Sequence, residues 1–318
     1  MIRSDYWNIK PHTHRKLEIL DKYLNSWSDI IFTYYRKNPK WITWKTPFYV
    51  DCFSGRGKYH KDENRDCIDG SPIIAIKKLI EKKELFEVKF GLKIFPKVRL
   101  IEYNQELAKE LAEFVKPYKE KIDIEIKPND FNQVIEEIVI ETGFSPTFFF
   151  VDAGGIKELK KESVDKIVKK KGARDILLNY VVDGPKRIGG LGKSILNGNY
   201  KGKRLDGAFK TIEQLEDFTG MEIANFLSET NNENRDALIA YVQNVLHANN
   251  HIKDEKDRLT TIVYDMKDLA RQKLIYYLLF SSRKAVATDI MKSIFKESKK
   301  NESQQTSLWG PDVLHIND

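Results

Sequence analysis

Short apolar runs alternate with amphipathic stretches through the first half of the chain, and this alternation constrains the fold more than any other feature. The runs have the length and the β-branched or aromatic content of buried strands; they are Phe48–Phe53, Val98–Tyr103, Ile122–Ile126, Thr147–Val151 and Asp175–Val182. Helical patterns separate them. Parallel strands need such crossovers, so the order predicts an α/β chain with a Rossmann-like, doubly wound and mostly parallel sheet.

Less regular segments flank this core. Apolar residues recur at helical spacing from His14 to Tyr35, which predicts a helix in an N-terminal extension of residues 1–45, ahead of a core spanning 46–185. Residues 186–256 predict a basic loop and a helical insertion. The loop, from Lys186 to Lys210, is rich in glycine and lacks periodicity, and we expect it to be mobile.

The C-terminal part of the chain predicts an antiparallel edge and a last helix. Leu259–Tyr264 and Leu274–Phe280 are β-rich runs that favour a hairpin on the edge of the sheet, although the second run is also compatible with a helix. A helix from Val286 to Phe295 follows. Residues 257–296 would thus complete the sheet, and the polar residues 297–318 predict a flexible tail.

Composition narrows the classes of protein and of partner. The 318 residues carry 54 basic and 47 acidic side chains, a net charge of +7 that permits a nucleic-acid partner without requiring one. The only two cysteines, Cys52 and Cys67, suggest a reducing compartment. No apolar run reaches the roughly 18 residues of a membrane span, so we expect a soluble, cytoplasmic protein without membrane contact.

Polar and glycine residues stand where each predicted strand ends. In an open parallel sheet, ligands bind beyond the carboxyl ends of the strands. Glycines at 55 and 57 would let the backbone approach a ligand, Glu102 would accept ribose hydroxyls, and Asp130 would accept an adenine amine that Phe131 covers. The resulting set of candidate cofactor-binding residues is Asp51, Phe53, Ser54, Gly55, Gly57, Ser71, Glu102, Tyr103, Asp130 and Phe131.

A dinucleotide is disfavoured as the ligand of this set. Its fingerprint needs a third glycine at position 60, which is His60, and a helix that starts at once. Here an irregular polar segment, Lys58–Gly70, precedes the helix that Ser71 and Pro72 begin, with Ser71 as a suitable cap. A pyrophosphate prefers a helix N-terminus, whereas S-adenosylmethionine (SAM) has no phosphate and does not need one.

These motifs resemble class I SAM-dependent methyltransferases and, more closely, the three-Cys-motif partner protein (TcmP) family. The similar residues, within His12 to Phe295, are Tyr23, Leu24 and Trp27, the Asp-x-Phe-x-Gly-x-Gly loop from Asp51 to Gly57, Gly70-Ser71-Pro72, Glu102, and Tyr276–Ser282. The resemblance implies a SAM site that uses Asp51, the glycine loop, Glu102 and Asp130. It also implies a partner protein with three cysteines.

The chain departs from that family after the fourth predicted strand. The family motif is Asp-Pro-Phe-Gly, whereas this chain has Asp152-Ala153-Gly154-Gly155. Asp152 is our candidate catalytic residue, because a carboxylate there can hold an acceptor amine; capping the next helix is the alternative. Two functions follow: a methyltransferase that modifies DNA or RNA, or a catalytically impaired subunit that binds nucleic acid or a partner protein in a defence or modification system.

Three weaker motifs remain. Gly189–Ser194 is similar to a phosphate loop, but Arg187 stands where its first glycine belongs, so nucleotide hydrolysis is disfavoured. The alternatives for this segment are a solvated loop or phosphate contacts, with Tyr200 as a stacking platform; the candidate basic residues are Lys186, Arg187, Lys193, Lys201, Lys203 and Arg204. His247 and His251 lack the glutamate of zinc proteases, so no metal site is expected. Gln305–Trp309 resembles peptides that dock on the bacterial sliding clamp.

Overall fold

The computed structural model describes residues 9–39, 46–60, 67–199, 204–250, 257–268, 271, 273–301 and 314–316. The strands are β1 (Phe48–Asp51), β2 (Lys58–His60), β3 (Cys67–Asp69), β4 (Lys97–Ile101), β5 (Asp123–Lys127), β6 (Thr147–Val151), β7 (Arg174–Val181), β8 (Thr260–Asp268), β9 (Lys273–Ser282) and β10 (Leu314–Ile316). The helices are α1 (Pro11–Lys37), α2 (Ser71–Phe90), α3 (Gln105–Val115), α4 (Phe131–Thr142), α5 (Lys161–Lys169), α6 (Asp183–Leu196), α7 (Arg204–Thr219), α8 (Ile223–Thr230), α9 (Asn234–Tyr241) and α10 (Ala285–Asn301).

One mostly parallel sheet organises the described residues, in the order β10-β8-β9-β7-β6-β1-β4-β5. Strands β1, β4, β5, β6 and β7 are parallel, whereas β9 runs antiparallel to both β7 and β8. This confirms the predicted Rossmann-like sheet and its antiparallel hairpin. The strand order reverses between β1 and β6, and ligands of such sheets bind at the carboxyl ends of the strands beside that reversal.

Alternation along the central strands builds a hydrophobic core on each face of the sheet. In β6, Phe148 and Phe150 contribute to one core, and Phe149 and Val151 to the other. The first core takes its helical residues from α1, α2, α3 and α10, and the second from α4–α9. Both faces of the sheet are covered, so the central strands β1 and β6 are almost wholly apolar and the polar residues at their ends stand out in the sequence.

The segment from Lys58 to Gly70 is more ordered than predicted. Its two ends form a β-hairpin, β2 with β3, while residues 61–66 lie outside the described part. Gly70, not Ser71, is the N-cap of α2, and it has no side chain that could cap. The hairpin therefore separates the glycine turn from α2 along the chain, but it brings them together in space, where the Gly70 N–H donates to the Gly57 carbonyl at 2.7 Å.

The prediction of a mobile basic loop from Lys186 to Lys210 is wrong over most of its length, because α6 covers its first part and α7 begins at Arg204. Glycines interrupt the periodic pattern of apolar residues in α6, but they allow neighbouring elements to pack closely against this helix. A Cβ on Gly189 would lie 2.3 Å from Oδ1 of Asn232, and one on Gly192 would lie 2.4 Å from the Ile223 side chain. The glycines let α6 approach α8 and the turn that follows it, and the Gly189–Ser194 motif is helical rather than a phosphate loop.

The C-terminal end is also more regular than predicted. Helix α10 continues to Asn301, beyond the predicted end at Phe295, and β10 pairs antiparallel with β8. The clamp-like segment Gln305–Trp309 lies outside the described residues. Among the helices that the structure describes, none is both long and apolar enough to cross a bilayer.

Candidate functional site

Asp51 ends β1 inside the protein. Its carboxylate is fully buried and accepts hydrogen bonds from the Tyr49 hydroxyl at 3.0 Å, from the Phe53 backbone N–H at 3.4 Å and from the Ser71 hydroxyl. Burial raises the pKa of Asp51 to about 7, and the negative charge of Asp152 adds to this shift. Ser71, predicted as a cap, instead helps to hold this carboxylate.

The turn after Asp51 needs both of its glycines. Gly55 has a φ of +59° and Gly57 a φ of +85°, in the region that side chains disfavour. A Cβ on Gly57 would lie 2.8 Å from Cδ1 of Leu111, whereas one on Gly55 would meet nothing within 4 Å. The backbone N–H of Ser54 donates to the Ile101 carbonyl at 2.8 Å, which fixes the turn against β4. Gly55 thus exposes backbone to open space.

Glu102 joins this turn to the next strand. Its Oε2 accepts the backbone N–H of Gly55 at 2.8 Å, and its Oε1 accepts that of Asn104 at 2.7 Å. The Asn104 side chain in turn caps α3. Each carboxylate oxygen keeps a further lone pair, so Glu102 can accept ligand hydroxyls while holding both amides.

The predicted cofactor-binding residues Tyr103, Asp130 and Phe131 differ in their environments. Asp130 is the N-cap of α4 and accepts the Asn132 N–H at 2.7 Å, so one of its oxygens has a structural role. Phe131 is buried and packs on Phe53, with 5.2 Å between ring centroids. Tyr103 is 74% exposed. The structure therefore brings most of the predicted cofactor set into contact around the turn but leaves Tyr103 in solvent.

Asp152, at the carboxyl end of β6, lines a cavity of about 690 Å³. The cavity is bounded by the first turns of α1, by Tyr59, by the Asp152–Gly154 turn and by the facing ends of β7 and β9. The Lys16 ammonium donates to Oδ2 of Asp152 in an ion pair, and Nδ2 of Asn179 donates to Oδ1 at 2.9 Å. Lys16 is 7% exposed and the Asp152 side chain 19%.

Asp152 does not cap a helix, so that alternative is wrong. The next helical turn, Ile156–Glu158, has Gly155 as its N-cap, and the Glu158 carboxylate accepts the Gly154 N–H at 2.8 Å. The side chain of Asp152 is therefore available to the cavity. Strands β1 and β6 are parallel neighbours, so Asp51 and Asp152 lie at the same edge of the sheet, and the Asp152 charge contributes to the raised pKa of Asp51.

Sequence reasoning missed the residues that hold Asp152. Lys16 sits four residues before Leu20 on the buried stripe of α1, and Asn179 interrupts the apolar strand β7. A cation on an apolar helical face and an amide inside a buried strand are both detectable signals. What they contact is set by the packing of α1 across the ends of β6 and β7.

The tyrosine and histidine side chains that line the cavity are uncharged at neutral pH. Burial raises the pKa of Tyr59 and, more strongly, that of Tyr276, and the Asp152 charge adds to both shifts. Burial lowers the pKa of His12, helped by the charges of Lys10 and Lys16. At neutral pH the cavity therefore presents neutral tyrosines and a neutral histidine beside the Lys16–Asp152 pair.

The predicted nucleic-acid residues are only partly described. Lys186, Arg187 and Lys193 are exposed on α6, and Lys186 forms an ion pair with Glu233 at 3.8 Å. Tyr200, Lys201 and Lys203 lie outside the described residues, as does the side chain of Arg204. These cations sit on a helix rather than a loop; phosphate contact stays a prediction.

No protein-family model matches the sequence, and no curated protein matches it either. The TcmP resemblance therefore stays a prediction. Among solved structures, a Legionella pneumophila protein of the DUF519 family is similar over 87% of this chain and 90% of its own, with 12% identity and a TM-score of 0.43.

Two further structures carry methyltransferase descriptions. A Staphylococcus aureus protein, provisionally described as a caffeoyl-CoA O-methyltransferase, covers 81% of this chain and 82% of its own, with 12% identity and a TM-score of 0.31. A geranyl diphosphate methyltransferase in complex with SAM covers 82% and 85%, with 10% identity and a TM-score of 0.26. The strand order of the chain itself defines a Rossmann-like fold.

Proposed function

We propose that this chain is a SAM-dependent methyltransferase that modifies nucleic acid. One observation supports this most directly: the cavity at Asp152 and the Asp51–Gly57 turn follow the neighbouring parallel strands β6 and β1, so both lie at the carboxyl edge of the sheet, beside the reversal of strand order. One site would hold a cofactor and the other an acceptor. The net charge of +7 and the exposed cations of α6 favour a polyanionic acceptor.

The residues around the turn fit SAM better than a dinucleotide. In a dinucleotide fold the helix follows the glycine turn directly along the chain, whereas here the hairpin β2–β3 intervenes. The start of α2 is instead joined to the turn itself, because the Gly70 N–H donates to the Gly57 carbonyl at 2.7 Å and the Ser71 hydroxyl donates to Asp51. The open space at Gly55 and the remaining lone pairs of Glu102 suit a ribose, and the partly exposed Phe53, which packs on the buried Phe131, offers an aromatic surface. When bound, SAM would supply an electrophilic methyl group.

The protein's own contribution would be orientation. Asp152 accepts N–H donors at the end of β6, so it can hold an acceptor amine and stabilise positive charge that develops on it. Lys16 and Asn179 fix the orientation of that carboxylate through its two oxygens. Such placement accounts for several kcal/mol of the barrier in reactions that need little other chemistry.

A second candidate function is a cofactor-binding subunit without catalysis. Its support is that Lys16 and Asn179 already engage both oxygens of Asp152, and that Ala153 and Gly154 replace the bulkier Pro-Phe pair of the resembled family. In this case SAM would bind and no methyl group would move.

Two measurements test these proposals. Isothermal titration calorimetry with SAM should show saturable binding to the full chain; no heat at millimolar cofactor contradicts both candidate functions. Transfer of a tritiated methyl group from SAM to mixed-sequence DNA and RNA then separates them. We expect labelled nucleic acid from the wild type and none from Asp152→Ala with SAM affinity retained, whereas binding without any transfer favours the subunit.

A further inference from the structure

A groove of about 370 Å³ lies between the C-terminal turns of α4 and α5, and we call it the α4–α5 groove. Helix α4 ends just before β6 begins, and α5 ends just before β7, so the groove lies at the amino edge of the sheet, opposite Asp152. Three apolar side chains at the spacing of one helical stripe form its floor; they are Val139, Ile140 and Phe144. Three lysines on α5 and in the loop after it form its rim; they are Lys166, Lys169 and Lys171.

The floor of the groove is an apolar face that the described part of the chain leaves open. Ile140 is 72% exposed and Phe144 is 62% exposed. Helix α4 already packs a different stripe, Val134, Ile135 and Ile138, into the hydrophobic core. The folding of this chain therefore does not use the second apolar stripe, and such an unused stripe beside polar residues is typical of an interaction surface.

The two loops that close the groove are held together. Gly172 has a φ of +79°, and a Cβ at this position would collide with the Phe144 carbonyl oxygen, so glycine permits the close approach of the two backbones. The buried Lys170 ammonium donates to the Ser145 carbonyl at 2.8 Å and to the Lys171 carbonyl at 2.7 Å. The groove is therefore already formed before a partner arrives, which reduces the entropic cost of binding.

The positive charge of the rim is only partly neutralised. The acidic residue of the lining, Glu136, pairs with Lys166 at 2.8 Å, and Asp165 lies 3.6 Å from the Lys169 ammonium. Among the described residues, the recorded contact of the Lys171 ammonium is with an aromatic ring of the floor, 5.8 Å from its centroid, rather than with a carboxylate. The outer rim therefore keeps positive charge that an acidic partner can meet.

Buried cations behind the groove add to its positive potential. Nη1 of the buried Arg174 donates to the Lys170 carbonyl at 3.1 Å, and Arg283 pairs with Asp257 at 3.1 Å. Nε and Nη2 of Arg174 and Nε of Arg283 have no hydrogen-bond partner among the described residues. Burial, together with the charges of the two arginines, lowers the pKa of Lys170 to about 7. Buried charges are weakly screened, so they also attract an anionic partner.

We propose that the α4–α5 groove binds an acidic, amphipathic helix of a partner protein. The apolar face of that helix packs on Ile140 and Phe144, and its carboxylates pair with Lys169 and Lys171. A groove between two helices suits a third helix whose apolar residues recur at i, i+3, i+4 and i+7. A nucleic acid fits less well, because two of the three floor residues are aliphatic and offer no ring on which a base can stack.

This partner is independent of the proposed function. The groove and the cavity at Asp152 lie at opposite edges of the sheet, so an occupied groove leaves the candidate cofactor and acceptor sites open. The partner would act as a further subunit or as a docking protein.

Three labelled helical peptides of about 14 residues, or four turns, test the proposal on the full chain. The first has leucines at i, i+3, i+4 and i+7, glutamates beside them and alanines elsewhere. The second has lysines in place of the glutamates, and the third has serines in place of the leucines. Fluorescence anisotropy measures each affinity. We expect the first peptide to bind with a Kd on the order of tens of micromolar and the others at least about tenfold more weakly.

Substitutions in the groove locate the binding. Phe144→Ser should weaken binding of the acidic peptide about tenfold, because it removes an aromatic contact from the floor. Lys171→Glu should weaken it about fivefold, because it reverses a rim charge. Phe95→Ser and Lys93→Glu make the same changes at exposed positions of the loop before β4 and should leave affinity within about twofold of the wild type.

Each outcome decides for or against the groove. No binding of the acidic peptide, equal affinity for the lysine peptide, or unchanged affinity in Phe144→Ser overturns the proposal. Displacement of the acidic peptide by single-stranded DNA, at a lower concentration than unlabelled peptide requires, assigns the groove to nucleic acid instead. If Phe144→Ser does not fold, Ile140→Ser tests the same floor. Absence of SAM binding in calorimetry bears on the proposed function alone.

Discussion

Glu102 Oε2 accepts the backbone N–H of Gly55 at 2.8 Å, which links the end of β4 to the turn after β1. Because Oε1 also accepts the Asn104 N–H, the carboxylate is held in one orientation before any ligand arrives. A group fixed in this way loses little freedom on binding, so it suits recognition of a ribose. This link is the most specific feature of the candidate cofactor site.

Replacing Glu102 with glutamine should weaken SAM binding about tenfold, because a charge-assisted acceptor is stronger than a neutral amide. Calorimetry with SAM measures the change. Glu106→Gln, the same substitution in the exposed first turn of α3, is the control and should leave affinity unchanged. Equal affinities for the wild type and Glu102→Gln would remove Glu102 from the site.

Alanine at Gly57 should destabilise the protein more than alanine at Gly55. Both positions have positive φ, which costs roughly 1–2 kcal/mol for a side chain. Gly57 adds a collision with Leu111 at 2.8 Å, whereas Gly55 faces open space. We expect a loss of about 2–4 kcal/mol for Gly57→Ala and about 1 kcal/mol for Gly55→Ala, measured by urea denaturation. Equal losses would contradict the close contact with Leu111.

Asp51 should make the wild type less stable as pH rises from about 4 to about 7. Burial raises its folded pKa from 3.8 to about 7, so the folded state keeps a proton that the unfolded chain has lost in this window. Asp51→Asn resembles the protonated form and should remove this slope, on the order of 1 kcal/mol per pH unit. Urea denaturation at several pH values measures it.

The control for Asp51 is Asp289→Asn, which is exposed on α10 and should keep the wild-type slope. If Asp51→Asn keeps the pH dependence of stability, groups other than Asp51 cause it. Above pH 7 the folded and unfolded states are both ionised at Asp51, so no further contribution is expected there.

Lys16→Met should destabilise the protein by about 1–3 kcal/mol, because it leaves a largely buried carboxylate at Asp152 with one described donor. Lys82→Met is a matched comparison. Lys82 is 8% exposed and pairs with Asp29, but that carboxylate is 45% exposed and water can replace the lost partner. We expect Lys82→Met to lower the free energy of unfolding by less than about 1 kcal/mol. Thermal unfolding of both variants measures the difference.

The local pattern of apolar residues predicted the positions of the strands. The runs ending at Asp51, Glu102 and Asp152 are apolar because both faces of the sheet are covered, and period and length report that burial directly. The sequence did not predict helix α6, because its local pattern does not report how the helix packs. Its glycines, Gly189 and Gly192, lower local helix propensity, while packing against α8 outweighs that penalty.

The sequence by itself determined the order of the elements, the antiparallel hairpin and the polar residues at the strand ends, since these depend on neighbours along the chain. Only the tertiary structure decided that Lys16, 136 residues from Asp152, would meet that carboxylate, and that Asn179 would hold it from the next strand. Contacts between elements depend on how α1 crosses the sheet, and burial there reflects the summed packing of many side chains rather than any local signal.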